Sequence, residues 1–240
     1  MANYGEEAID LAKSAGGLVV NIGSVTPEGL TNNLQAIKAY NTYGGPVLLD
    51  PVGAGATHIR RDAIKTLMTG GYFDVIKGNE SEINIILGEG AVEQKGVDSA
   101  GSTMSDMDKA GVVMKLAARE RNVIVMTGPI DFLSDGIRTY AVKNGHEYLG
   151  KVTGTGCTLG TTIAAFAAVE KGDKLLAALS GLLIFEIAAE HAGRRPGVNG
   201  PGTFVPAFLD ALHNLATQTA NGNSDWLASA AKVEKLDLKI

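Results

Sequence analysis

Four short apolar runs, each stopped by a polar or glycine-rich corner, constrain this chain more than any other feature. They are Leu18 to Ile22, Pro46 to Pro51, Phe73 to Lys77 and Asn122 to Met126. Runs this short, rich in β-branched residues and without alternation, read as strands buried on both faces. Helix signals fall between them. Pro27 sits in the first turn of a helix reaching about Tyr43, and further helices are expected over Arg60 to Thr69, Ser81 to Leu87 and Ser105 to Arg119. Ser105 and Asp106 are capping candidates for the last of these. A shorter amphipathic helix, Glu6 to Ala15, ends at Gly16-Gly17. Strand and helix in alternation predict a parallel sheet.

The rhythm then changes. Phe132 to Ser134, Thr139 to Lys143 and Glu147 to Leu149 are short strand-like pieces parted by Asp135-Gly136 and Asn144-Gly145, which signal hairpin turns. They predict an antiparallel edge. Only helices are expected afterwards: a buried one following Gly160, one capped by Asp173 and running to about Ala192, and one from Val205 to about Thr219. Residues Ala220 to Ile240 read as a polar tail with Trp226, either a docking strip or a frayed end. The expected fold is α/β, mostly parallel with antiparallel edge strands and helices on both faces. With no repeat and no linker, residues 1–240 read as one domain.

Composition narrows the function classes. The chain has 240 residues, 45% hydrophobic and 20% charged, which is globular rather than disordered composition. A net charge of −5 gives no footing for nucleic-acid binding. The single cysteine excludes an internal disulfide and suits a reducing compartment. No apolar run is read as a membrane span and no signal peptide is visible, so a cytoplasmic protein is expected.

In a parallel sheet, ligands sit outside the carboxyl ends of the strands. Polar and glycine-rich corners fall at five such ends: Asn21 to Ser24, Asp50 to Gly53, Lys77 to Asn79, Thr127-Gly128, and Gly154-Thr155-Gly156-Cys157. The last precedes the apolar run TTIAAFAAV, a buried helix. Its glycines permit either a tight packing turn or close approach of an anion to the helix N-terminus. Cys157 is either a thiol at that N-terminus or an inert core thiol. The five corners together favour a site. Phosphoryl transfer needs charge neutralisation, a metal holder and a group beside the attacking hydroxyl. Gly154 to Gly156 supply donors, Lys77 is placed to meet a phosphate, and Asp50 and Glu82 are candidates for Mg2+, directly or through water. Taken singly, Asp50 also suits an Asx turn, Glu82 a solvated helix face and Lys77 a strand end. No GxxxxGK(S/T) run is present, which excludes a P-loop.

These corners, in this order, resemble the hydroxyethylthiazole kinase family. The resemblance rests on Asp50 to Thr57, Lys77 to Ile83, Thr127-Gly128 with Asp131 and Asp135-Gly136, Gly154 to Cys157, and Gly200 to Pro206 with Phe208 to Asp210. It extends to about Leu215. The phrasing of Gly5 to Ala8 and Asn21 to Leu30 is most similar to the kinase half of the fungal bifunctional enzyme, which also carries thiamine-phosphate synthase. The resemblance implies a ribokinase-like three-layer fold and ATP- and Mg2+-dependent phosphorylation of the hydroxyethyl group of 4-methyl-5-(2-hydroxyethyl)thiazole. It assigns Lys77, Thr127 and Asn79 to ATP, Met1, Gly154 and Cys157 to the thiazole, and Asp50 and Glu82 to Mg2+. Gly154, Thr155, Gly156 and Cys157 form the catalytic turn. Cys157 falls where other ribokinase-like kinases place a catalytic aspartate, and a thiol accepts an alcohol proton less well than a carboxylate. The family has a further strand ahead of this start, so the reading expects an N-terminal strand to be missing. It also implies a homotrimer with a shared site. The alternative is a truncated, non-catalytic half that binds ligand or scaffolds the synthase.

Overall fold

The computed structural model describes residues 4–88 and 104–238. Met1 and residues 89–103 lie outside the described residues. One seven-stranded sheet runs through the molecule in sequential order, β1 to β7. Its strands are β1 (Leu18–Asn21), β2 (Val47–Asp50), β3 (Val75–Asn79), β4 (Val123–Thr127), β5 (Asp131–Ser134), β6 (Thr139–Val142) and β7 (Val233–Leu236). The first four pair in parallel and the last three antiparallel, giving the mixed sheet expected.

Sequential order has a consequence for the layers. Parallel crossovers share one hand, so steps that always advance in the same direction put their helices on one face. Accordingly α2 (Pro27–Tyr43), α3 (His58–Gly70), α4 (Glu80–Leu87) and α5 (Asp106–Glu120) share a core with Val20, Leu49, Ile76 and Ile124. The short α1 (Ala8–Lys13) joins this layer. The opposite face carries Leu48, Val75, Val123, Val125 and Leu133 and needs its own cover. It is covered by α6 (Thr155–Val169), α7 (Lys174–Gly193) and α8 (Pro201–Ala220). The period-2 alternation of strand side chains sorts residues between the two cores.

That arrangement explains α7. By length and composition it is apolar enough to cross a membrane, contrary to the expectation that no run is. Its apolar surface is spent inside the protein, packed between α6 and α8 and against β4 and β5, with 78% of the apolar window buried. An all-round apolar helix of this kind is a core helix. Asp173 caps it as expected, accepting from Leu176 N at 2.9 Å.

Two expectations are corrected. Glu147 to Leu149 do not form a strand; Glu147–Lys151 is a 3-10 turn whose preceding residue, His146, accepts from Tyr148 N through Nδ1 at 3.2 Å. The place beside β6 is taken instead by β7, from the tail expected to be polar and possibly frayed. The Asn144 side chain makes the substitution favourable. It donates to the Ala230 carbonyl at 2.8 Å and accepts from Lys232 N at 2.7 Å, fixing the tail where β7 begins. A further helix, α9 (Asp225–Ala230), brings Trp226 against the α7 side of the core. The structure after α6 is therefore not helical alone.

Candidate active site

The carboxyl ends of β1 to β4 and the N-terminus of α6 form one rim. Asp50 ends β2, and Lys77 sits two residues before the end of β3. Both share strand parity with Leu48 and Val75, so they point at α6 rather than at the α2 to α5 layer. There Lys77 Nζ lies 3.2 Å from Asp50 Oδ1 and donates to the Gly156 carbonyl at 3.1 Å. The side chains are only 5% and 1% exposed. Burial pushes the Asp50 carboxyl up, and Lys77 and the Asn21 amide pull it back.

Asn21 extends this network. Its Nδ2 lies 3.0 Å from Asp50 Oδ2 and 3.2 Å from Cys157 Sγ, while its Oδ1 accepts from Gly23 N at 2.8 Å. A run of contacts thus joins Cys157, Asn21, Asp50, Lys77 and Gly156. Cys157 is exposed at its outer end, which removes the core-thiol reading.

Gly154 caps α6 at φ 102°, a conformation that favours glycine, and no side chain caps this end. The first-turn N–H groups of a helix lack intrahelical acceptors, so an uncapped N-terminus offers donors to an anion. Thr155 does not add its hydroxyl to that set. Its Oγ1 donates toward the Leu149 and Val152 carbonyls, at 2.7 and 2.9 Å, and ties down the preceding loop. Where that loop begins, the His146 ring stacks on the buried ring of Phe204, and Tyr148 sits edge-on to the same ring.

Glu82 is buried, not on a solvated helix face. Oε1 accepts from Gly53 N and Oε2 from Asn79 N, both at 2.8 Å. The Asn79 side chain in turn accepts from Glu82 N at 2.9 Å, completing a capping box for α4. Burial raises the Glu82 carboxyl, while the Gly53 and Asn79 N–H groups and Lys77 lower it. Thr127, half-buried at the end of β4, faces the Gly78 carbonyl at 3.4 Å.

Asn21 belongs to one of the five corners that favour a site, but the sequence pattern gives it no role of its own. Arg60, which that pattern marks only as a helix start, clamps two loops by donating to Ile22 O, Val52 O and Gly23 O at 2.6, 2.8 and 2.8 Å. One signal was available: α3 opens with His58, Arg60 and Arg61 and no acid, against the preference of a helix N-terminus. A groove of about 340 Å3 between α7 and α8 includes none of these rim residues; its Arg194 and Arg195 pair with Glu190 and Asp210.

Among the described residues no cluster of three or more His, Cys, Asp or Glu forms a cage for a metal ion. The carboxylates of Asp50 and Glu82 nonetheless suit hydrated Mg2+. That ion keeps several waters and takes one or two carboxylates beside substrate phosphates. Each of their oxygens retains a lone pair beyond the contacts above.

A mostly parallel sheet between two helical layers, with an open helix N-terminus above a buried Lys–Asp pair, defines a ribokinase-like α/β three-layer sandwich. The chain belongs to the hydroxyethylthiazole kinase family, whose profile matches residues 1–218. It is 41% identical over 238 residues to the probable thiamine biosynthetic bifunctional enzyme of Schizosaccharomyces pombe, covering 97% of this chain and 45% of that relative. The chain thus spans less than half of that relative's length. It is 42% identical over 236 residues to the hydroxyethylthiazole kinase of Chloroflexus aggregans, covering 98% of this chain and 80% of the relative. The structure of the hydroxyethylthiazole kinase protein from Pyrococcus horikoshii OT3 superposes with a TM-score of 0.84 at 34% identity. That match covers 99% of this chain and 84% of the other.

Proposed function

We propose that this chain transfers the γ-phosphoryl group of ATP to the hydroxyethyl oxygen of 4-methyl-5-(2-hydroxyethyl)thiazole. The observation that carries the reading is the buried Lys77–Asp50 pair directly beneath the uncapped N-terminus of α6. Such a floor suits phosphate, because fixed donors and a cation face the place where negative charge gathers.

In this reading the substrate hydroxyl lies beside Gly154 and Cys157. Its oxygen bonds to the γ-phosphorus as the β–γ bridging P–O bond breaks, and the bridging electron pair leaves with ADP. The hydroxyl proton passes to Cys157 or to water at that lip. Lys77 and the first-turn N–H groups of α6 hold the phosphate oxygens, and Thr127 meets the nucleotide. Asn79 contributes through the capping box that seats Glu82. Asp50 and Glu82 would hold Mg2+, directly or through water. Bound with the nucleotide, that ion neutralises charge on the phosphate oxygens.

The continuous sheet from β1 to β7 supports reading residues 1–240 as one kinase domain. The length of the Schizosaccharomyces pombe relative supports fusion to a second thiamine-forming activity, a thiamine-phosphate synthase. The exposure of Gly154 and Cys157 leaves one side of the thiazole site open, which suits closure by another copy in a homotrimer. The exposed free thiol suits the reducing cytoplasm.

The test is incubation of the full polypeptide with Mg-ATP and the thiazole alcohol, with mass spectrometry for the phosphorylated thiazole. Hydroxymethylpyrimidine serves as the competing alcohol. Absence of phosphorylated thiazole, or preference for the pyrimidine, sinks the reading. Light scattering reports the oligomer.

A further inference from the structure

The guanidinium of Arg60 holds two peptide groups by their oxygens. Its Nη1 donates to Ile22 O at 2.6 Å and to Val52 O at 2.8 Å, while Nη2 reaches Gly23 O at 2.8 Å. A trans peptide group is planar, with its C=O and N–H pointing opposite ways, so a grip on the oxygen also aims the hydrogen. Both peptide groups are trans. The N–H of the Ile22–Gly23 peptide meets Asn21 Oδ1 at 2.8 Å. The N–H of the Val52–Gly53 peptide meets Glu82 Oε1, also at 2.8 Å.

The two loops differ in firmness. Glu82 is buried and its other oxygen accepts from Asn79 N at 2.8 Å, so the Val52–Gly53 peptide is fixed from both sides. The root of Arg60 is fixed as well, since its own N–H donates to the Thr57 hydroxyl that caps α3, at 3.3 Å. Beyond Ile22 the loop after β1 is exposed at Gly23 and Ser24. Arg60 ties this exposed loop to the firm one. The Asn21 amide then has one workable orientation. With Oδ1 on the Gly23 N–H, Nδ2 faces Asp50 Oδ2 at 3.0 Å and Cys157 Sγ at 3.2 Å. The reverse would set N–H against N–H and oxygen against carboxylate. There is little spare room, because a Cβ on Gly23 would come within 3.0 Å of Asn21 Oδ1.

We propose that Arg60 is a positioning residue for phosphoryl transfer: through the Ile22–Gly23 peptide it holds the Asn21 amide between Asp50 and Cys157. This rests on the kinase reading of the rim. Arg60 spends its bonds on carbonyl oxygens and acts on the reacting groups through Asn21. Without its fork the exposed loop is released, the amide turns away, and Asp50 and Cys157 lose a shared donor.

The experiment uses Cys157 as its own reporter, since it is the only cysteine in the chain. An N–H donated to sulfur favours the thiolate, the form that attacks iodoacetamide. Arg60→Met and Asn21→Ala should each slow alkylation at neutral pH by about two- to tenfold. The double variant should match either single one within about twofold, because both remove the same contact. With Mg-ATP and the thiazole alcohol, kcat of Arg60→Met should fall by about ten- to a hundredfold. Arg60→Lys keeps the charge but not the planar fork, so it should stay near Arg60→Met in both measurements. Gly23→Ala, which crowds the Asn21 oxygen and leaves Arg60 in place, should also slow alkylation. Alkylation losses that multiply in the double variant overturn the inference. So does a wild-type rate in Arg60→Lys or Gly23→Ala, or an unchanged kcat in Arg60→Met. Wild-type protein without turnover sinks the kinase reading, while alkylation still decides whether Arg60 holds Asn21. Should Arg60→Met fail to fold by circular dichroism, Arg60→Lys takes its place in the same comparison.

Discussion

Lys77 Nζ sits 3.2 Å from Asp50 Oδ1 and 3.1 Å from the Gly156 carbonyl, joining two neighbouring strands to the helix N-terminus above them. Breaking a buried ion pair from one side strands a charge and costs about 3–5 kcal/mol, whereas removing both partners is often close to neutral. Lys77→Met should therefore lose about that much stability in urea unfolding. Lys77→Met combined with Asp50→Leu should recover most of the stability and none of the phosphoryl transfer. If the double variant regains activity, the pair is structural only.

The exposed thiol of Cys157 faces the Asn21 amide at 3.2 Å. A carboxylate at position 157 meets the same donor and accepts an alcohol proton better than a thiol does. Cys157→Asp should thus keep or raise kcat, with the fold unchanged. Complete loss of turnover in a folded protein would count against a proton-accepting role at this position.

Glycine at 154 and at 156 is needed for different reasons. Gly154 holds φ 102°, so alanine there is strained by about 1–3 kcal/mol. At Gly156 an added Cβ comes within 3.3 Å of Lys77 Nζ. The ammonium can yield slightly to one methyl, so Gly156→Ala should retain partial activity. Gly156→Val should abolish transfer in a folded protein by displacing Lys77 and filling the phosphate approach. Normal turnover by the valine variant would return this turn to a packing role.

Acid unfolding reads a feature remote from the rim. The Arg138 guanidinium bonds Asp173 at 2.7 and 2.9 Å and holds its carboxyl down at about 2. A depressed folded pKa stabilises above the unfolded value, near 3.9, and the stability is lost as pH falls through the folded one. Asp173→Asn should therefore begin acid unfolding at higher pH than wild type. Circular dichroism between pH 4 and 1.5 measures the shift; coincident curves would show that the pair contributes nothing.

What the sequence determined by itself was whatever local pattern encodes. The four apolar runs became β1 to β4 because short β-branched segments cannot bury themselves as helices. Pro27, Ser105 and Asp173 mark helix starts because their effect is confined to one turn. Asp50, Lys77 and Thr127 fell at strand ends in chain order, and a parallel sheet gathers such ends on one rim; Gly154 joins that rim as the residue that opens α6, not at the end of a strand. Tertiary structure alone decided what depends on distant segments meeting. The segment Val233–Leu236 carries Glu234 and Lys235 and is mostly exposed, so it has no hydrophobic signature; it is a strand because Asn144 anchors the chain just before it. Asn21 acquired its place between Asp50 and Cys157, and Arg60 its three carbonyls, only when the loops closed. Glu186 is an unremarkable acid along the chain, and it is buried because α7 covers the face of the sheet that the crossover helices leave bare.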